Sequence, residues 1–248
     1  MLVTLGTNQS IAAGSTQTFT YSPQSLQRVF LRLEDATGGE ALGTAITVQI
    51  GSKVVCNGVQ AWGLSGITNL TTGHYNNGND TMLNIDFGSH ELTTNENIYV
   101  SVYSASVIDA VDCSCIVDEP GLGTPVRYTQ YSDTTFTADN ALLGLMYASA
   151  RTVVDEDDGN METRTAVSSS APTLISCSSW FKNSTFSDQD ADNFGIVFQN
   201  SVPLRTSVNY TTTGNTNRIL TVEQDSITAN EVRQGKNSQR VANAFAGK

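Results

Sequence analysis

Charge is what this sequence has least of. Asp, Glu, Lys and Arg make up 15% of its 248 residues, against about 25% in ordinary soluble domains. Histidine is nearly absent: His74 and His90 are the two copies. Neither lies near an acid or serine motif, which removes a Ser-His-Asp hydrolase from the simple readings. No C-x-x-C occurs among Cys56, Cys113, Cys115 and Cys177, and the histidines lie far from them in sequence, so no zinc spacing can be drawn. Gly63-Leu-Ser-Gly66 is one residue short of a nucleophile elbow, and glycine loops of the P-loop or dinucleotide type are missing. No apolar run approaches the ~18 residues of a membrane-spanning helix. The first residues, Met-Leu-Val-Thr-Leu-Gly, lack the basic and apolar regions of a signal peptide. The expectation is a chain made in the cytoplasm without a signal peptide and not spanning a membrane.

The charge that is present is unevenly placed. The net charge is −11. Glu231 is the last acidic residue, and Arg233, Lys236, Arg240 and Lys248 follow it, so residues 232–248 carry +4. Residues 1–231 hold nine basic against 24 acidic side chains, a net −15. An acidic body argues against nonspecific nucleic-acid binding by that body. The basic tail from about residue 227 has Arg233, Lys236 and Arg240 at i, i+3, i+7, one face if helical, and Phe245 as an apolar anchor. It suits three partners: packaged nucleic acid, an anionic membrane, or the acidic face of a neighbouring subunit. The last needs no additional partner and ranks first.

The rest of the chain reads as short β-segments. Leu2 to Leu5, Ser15 to Tyr21, Val29 to Leu33, Ala45 to Ile50, Lys53 to Cys56, Met82 to Phe87, Ile98 to Tyr103 and Cys113 to Val117 give eight before the midpoint. Eight short strands is the count of a jelly roll. Gly51-Ser52 predicts a tight hairpin, and Ile98–Tyr103 is expected to pair with Cys113–Val117. Leu83, Ile85 and Phe87 are expected to face a core. Cys113 and Cys115, two apart in a strand, share a face and are poor disulfide partners. Three pairings of the four cysteines are formally open, and buried thiols are the favoured reading.

Glu119-Pro-Gly-Leu-Gly-Thr-Pro125 packs two prolines and two glycines into seven residues, which neither strand nor helix continues through. It predicts a joint between an N-terminal β-sandwich, 1–118, and a C-terminal β-domain, 126–226, followed by a basic arm, 227–248. The other reading is a long loop within one large sandwich. The second half shows strands near Val126–Tyr131, Thr163–Val167, Leu174–Phe181 and Phe194–Phe198. A closing hairpin is expected from Arg205–Tyr210 and Arg218–Val222. Asp139 and the spacing of Leu142, Leu145, Met146 and Ser149 predict one short helix near 140–150. Fewer strands are visible after the joint than before it, and no sequence repeat relates the halves.

Candidate sites are few. Asp188, Asp190 and Asp192 alternate as in a calcium loop, but Asn193 stands where glycine is expected and Gln199 where a bidentate Glu is needed. The acidic stretch Asp155–Glu162 reads as a solvated loop in preference to a second calcium site. No other cofactor is suggested. Trp62 and Trp180 are of a type that stacks on sugars, though tryptophans more often serve a core or its rim.

Many short strands, a Pro/Gly joint, long Asn/Thr-rich loops and a terminal arm together resemble the jelly-roll capsid proteins of prokaryotic viruses. The resemblance is architectural and compositional, spread over the chain. It implies an all-β fold, a jelly-roll β-sandwich with two β-domains in tandem. It implies a non-enzymatic virion protein with no small-molecule substrate, made in the host cytoplasm. Its partners would be copies of itself and other virion proteins in an icosahedral shell, with packaged nucleic acid or an internal membrane reached by the tail. The rivals are a carbohydrate-binding or adhesive β-sandwich, such as a receptor-binding fibre, and a β-sandwich hydrolase.

Overall fold

The computed structural model describes residues 1–35, 40–61, 63–64, 76–77, 80–93, 95–119, 125–131, 135–137, 142–149, 159–165, 173–176, 186–190, 193–202, 206–212 and 217–225, with side-chain surroundings within 1–131 and over 220–225. Among the described residues eighteen strands form, in three sheets. Before the joint come β1 (Leu2–Ile11), β2 (Ser15–Tyr21), β3 (Ser25–Glu34), β4 (Ala45–Ile50), β5 (Lys53–Gln60), the two-residue β6 (Asn76–Asn77), β7 (Asp80–Glu91), β8 (Ile98–Ser104) and β9 (Ile108–Val117). After it come β10 (Val126–Tyr131), β11 (Thr135–Thr137), β12 (Leu142–Ser149), β13 (Gly159–Thr165), β14 (Thr173–Ser176), β15 (Phe186–Asp190), β16 (Asn193–Val202), β17 (Thr206–Thr212) and β18 (Asn217–Gln224).

In the first half the chain alternates between two sheets. One runs β1-β9-β3-β7-β6, and part of the other runs β5-β4-β8-β2. Leaving out β6, the opposed orders are 1-9-3-7 and 2-8-4-5, the two interleaved Greek keys of a jelly roll. The second half repeats the permutation: β10-β18-β12-β16 continues the large sheet, and β11-β17-β13-β14 forms the third. Two jelly rolls therefore follow each other in the chain, and one nine-stranded sheet, β15-β16-β12-β18-β10-β5-β4-β8-β2, contains strands of both.

The alternation in the sequence places the first core. On β7, Leu83, Ile85 and Phe87 are buried while Asn84 and Asp86 stay half-exposed, as expected. Antiparallel register sets them in rows across the sheet: Cys115 beside Val29 beside Ile85, and Cys113 beside Leu31 beside Leu83. Phe19, Ile46, Val48, Val100 and Val102 from the opposite sheet belong to the same apolar cluster. Each fully buried residue of this type contributes about 1.5–3 kcal/mol by leaving water. The β4–β5 hairpin closes at Ile50 opposite Lys53. Gly51 takes φ 58° there, a left-handed backbone conformation that favours glycine.

Four expectations are corrected. Residues 142–149 form β12, not a helix, paired with β16 on one side and β18 on the other. Leu142–Ala148 is a short, almost wholly apolar run, and such a run fits a helical stripe as well as a strand, so Leu142, Leu145, Met146 and Ser149 could be read either way. β8 does not pair with β9: it lies between β2 and β4, while β9 lies between β1 and β3. β17 and β18 likewise join different sheets. In both cases the chain passes from one sheet of a sandwich to the other, a step that looks like a hairpin when only the sequence gap is read. Finally, the halves hold nine strands each among the described residues. The shortfall expected after the joint came from β11, β15 and the strand taken for a helix.

Cys56, Cys113 and Cys115 are buried free thiols, as favoured from the sequence; Cys177 lies outside the described residues. Burial pushes the Cys56 thiol up to about 12 from its ordinary 9.0. A hydrogen bond with Cys115, followed by burial, raises that of Cys113. A thiol that stays protonated when folded but ionises when unfolded favours the unfolded chain as pH climbs above 9. Cys56 alone should then cost up to about 1.4 kcal/mol per pH unit until its folded value is reached. Urea unfolding at pH 8, 9 and 10 should show that decline, shallower in Cys56→Ala. Thiol-reactive dye at pH 8 should leave these three cysteines unmodified until the chain unfolds.

Candidate functional site: the seam between the halves and the root of the arm

The large sheet passes from the first jelly roll to the second at β5 and β10, which pair in parallel with Tyr128 beside Cys56. Around this pairing, residues from distant parts of the chain converge. The Gln60 backbone N–H donates to Gln130 Oε1 at 2.8 Å. Tyr128 is buried and meets Phe87 edge to face, with ring centroids 5.5 Å apart. Its hydroxyl donates to the Asp86 carbonyl at 2.7 Å. Burial, and then the nearby Asp86 charge, hold that phenol well above its usual range, so it remains a donor. Leu220 lies so close to Gly63 that a Cβ there would come within 2.8 Å of its Cδ2. Tyr128, Leu220 and Val222 belong to the same core cluster as the first sandwich.

At the end of the seam lies Asp225, the residue after β18. Its side chain is 3% exposed and forms an ion pair with Lys53, Oδ2 to Nζ 2.6 Å. Its backbone N–H donates to the Pro125 carbonyl at 2.6 Å. His90, equally buried, has Nε2 2.9 Å from the Val126 carbonyl. A carbonyl only accepts, so the ring proton sits on Nε2. Nδ1 then faces the Asp225 carboxylate at 3.8 Å. Lys53 of β5, His90 of β7, the Val126 carbonyl of β10 and Asp225, just past β18, thus meet in one polar cluster. A second carboxylate, Glu223, is buried nearby and accepts the Thr221 hydroxyl at 2.8 Å.

Asp188 and Asp190 lie in β15, in register with Gly195 and Asn193 of β16. Asp192 lies outside the described residues, as do Arg233, Lys236, Arg240 and Phe245 of the arm. Trp62, Trp180, His74 and Asp155–Asp158 do so too, while Gly159–Glu162 opens β13. A surface groove lined by Pro23, Gln24, Glu91, Leu92, Thr93 and Glu96 offers no aromatic face for a sugar. Lys53, His90, Tyr128 and Asp225 had no motif to betray them. Their roles come from topology, which brings together residues 37 to 172 positions apart.

No family model matches the chain, and no curated protein matches it in sequence. Its fold, however, matches two solved viral major capsid proteins along nearly their whole length. Against the STIV MCP the TM-score is 0.68 at 12% identity, covering 90% of this chain and 95% of that one. Against the major capsid protein of bacteriophage PM2 it is 0.59 at 10% identity, covering 92% of this chain and 98% of that one. Both are jelly-roll proteins, and at such identities the likeness is one of fold. The architectural resemblance to jelly-roll capsid proteins is therefore a property of the folded chain.

Removing the Asp225 carboxylate strips a buried partner from Lys53. Asp225→Ala should cost about 3 kcal/mol, and Asp225→Asn, which keeps volume and polarity, less. Equilibrium urea unfolding measures both; a loss of under about 0.5 kcal/mol in the alanine variant would show that the cluster does not hold the seam.

Proposed function

We propose that this chain is a structural subunit of a viral capsid, acting without catalysis and found in the virion. The observation that supports this most is the fold match, over nearly full length, of this tandem jelly-roll chain to two viral major capsid proteins. On this reading residues 1–118 and 126–226 are two jelly-roll domains joined by 119–125, and 227–248 are an arm. The subunits associate into an icosahedral shell through sandwich edges, loops and the arm. Arg233, Lys236, Arg240 and Phe245 reach the acidic body of a neighbour; other virion proteins, packaged nucleic acid or an internal membrane are further partners for the same charges. The seam supports the division of labour. Asp225 is pinned on the body, so an arm beginning just beyond it can engage a neighbour without loosening the sheet that carries it.

Light scattering on the full chain and on a chain ending at Asp225 tests this. The full chain should form a defined oligomer or shell, and the truncated one a folded monomer, because the cut leaves every described contact of the seam in place. Two identical monomers would remove the arm-linked reading. Run with calcium and with chelator, the same measurement tests Asp188, Asp190 and Asp192: an oligomer lost on chelation would assign them a structural ion.

A further inference from the structure

The two outer faces of the first sandwich differ in a way that the fold alone does not require. On the β9-β3-β7 face, Arg28 pairs with Asp86 at 2.9 Å, and Arg32 pairs with Asp112 at 3.0 Å and Glu34 at 2.5 Å. On the opposite side, the outward positions of β2, β8 and β4 carry no charge at all. Register sets them in three rows: Thr16, Tyr103, Ala45; Thr18, Ser101, Thr47; Thr20, Tyr99, Gln49. Thr16, Thr18 and Thr20 are exposed, and Tyr103 is 44% exposed. The neutral zone continues past this face, since residues 1–27 contain no Asp, Glu, Lys, Arg or His side chain. β2 is also the edge of the nine-stranded sheet, and its pairing with β8 is regular from Ser15 to Tyr21. Natural edges are usually blunted by a charge, a proline or a bulge; β2 contains neither a charged residue nor a proline.

We propose that this β2-β8-β4 face, with its open edge, is where a second copy of this chain docks. The argument for the occupant is electrostatic. Residues 1–231 carry −15, so two copies repel wherever both present their acidic surface. They meet at least cost where neither presents charge. The composition agrees, because the centres of protein interfaces are enriched in tyrosine and depleted of charge. Nucleic acid and anionic lipid would need basic groups, which this face lacks. Three strands about 4.8 Å apart and seven residues long make a patch of roughly 14 by 24 Å. That is well under the roughly 800 Å² per partner of a stable pair. The contact is therefore weak singly and counts when many act together in a shell. The inference rests on the self-association proposed above.

Sedimentation velocity on the full chain up to about 1 mM tests it, with Ser101→Glu at the centre of the face, Thr18→Glu on the edge and Ser114→Glu on the charged face as the control of equal net charge. Thermal melts establish folding, and Thr20→Glu replaces either face variant that fails to fold. Association should weaken at least about tenfold in the two face variants and stay at the wild-type level in Ser114→Glu. Face variants that associate like wild type, or a control weakened as much as they are, overturn the docking face and leave the capsid reading standing. A wild-type chain monomeric throughout overturns the docking face together with the self-association on which it rests.

Discussion

One parallel pairing, Tyr128 beside Cys56, makes the two halves a single object. A jelly roll leaves a sheet edge at its sides, and an edge is a row of unpaired donors and acceptors. The edge at β5 is satisfied within the chain: β10 takes it, and the first sheet runs on into the second unit. The apolar cluster crosses with it, since Tyr128, Leu220 and Val222 pack with Cys56, Phe87 and their neighbours. The Pro/Gly joint that marks the boundary in sequence is therefore not what holds the halves together. It connects covalently what hydrogen bonds and apolar contact already join.

The seam also explains why so polar a cluster lies so deep. Lys53 and His90 come from strands whose backbones are fixed by their own ladders, and Asp225 follows a third, held by its backbone N–H on the Pro125 carbonyl. A buried carboxylate costs much when unpaired, and here the ammonium at 2.6 Å supplies the opposite charge. The result is local specificity: the end of β18 has one place to go.

What could be read from the sequence was whatever depended on neighbours along the chain. Leu83, Ile85 and Phe87 alternate, and the core lies where the alternation puts it. Gly51 and Ser52 turn the chain back on itself, and that hairpin forms. What could not be read was which strand sits beside which. β8 and β9 are close in sequence and lie in different sheets, because a jelly roll sends successive strands to opposite layers. Strand β12 failed for a related reason. Its segment is a short apolar run without polar alternation, so Leu142, Leu145 and Met146 pass for a helical stripe, and only the pairing with β16 and β18 marks it as a strand. The seam residues were invisible for the same cause, being ordinary strand residues made significant by partners up to 172 positions away. The capsid likeness was legible only as a style of sequence, many short strands with little charge, and it became specific once the permutation of strands was known.

That permutation has one more property. In each unit the last strand lies beside the first: β9 beside β1, and β18 beside β10. A unit whose chain returns to its own starting point can be followed at once by another copy, with no long connection to thread. Seven residues, Glu119 to Pro125, suffice here. The architecture is therefore open to doubling by simple tandem copying of its coding segment. The halves of this chain share that order of strands without a visible sequence repeat.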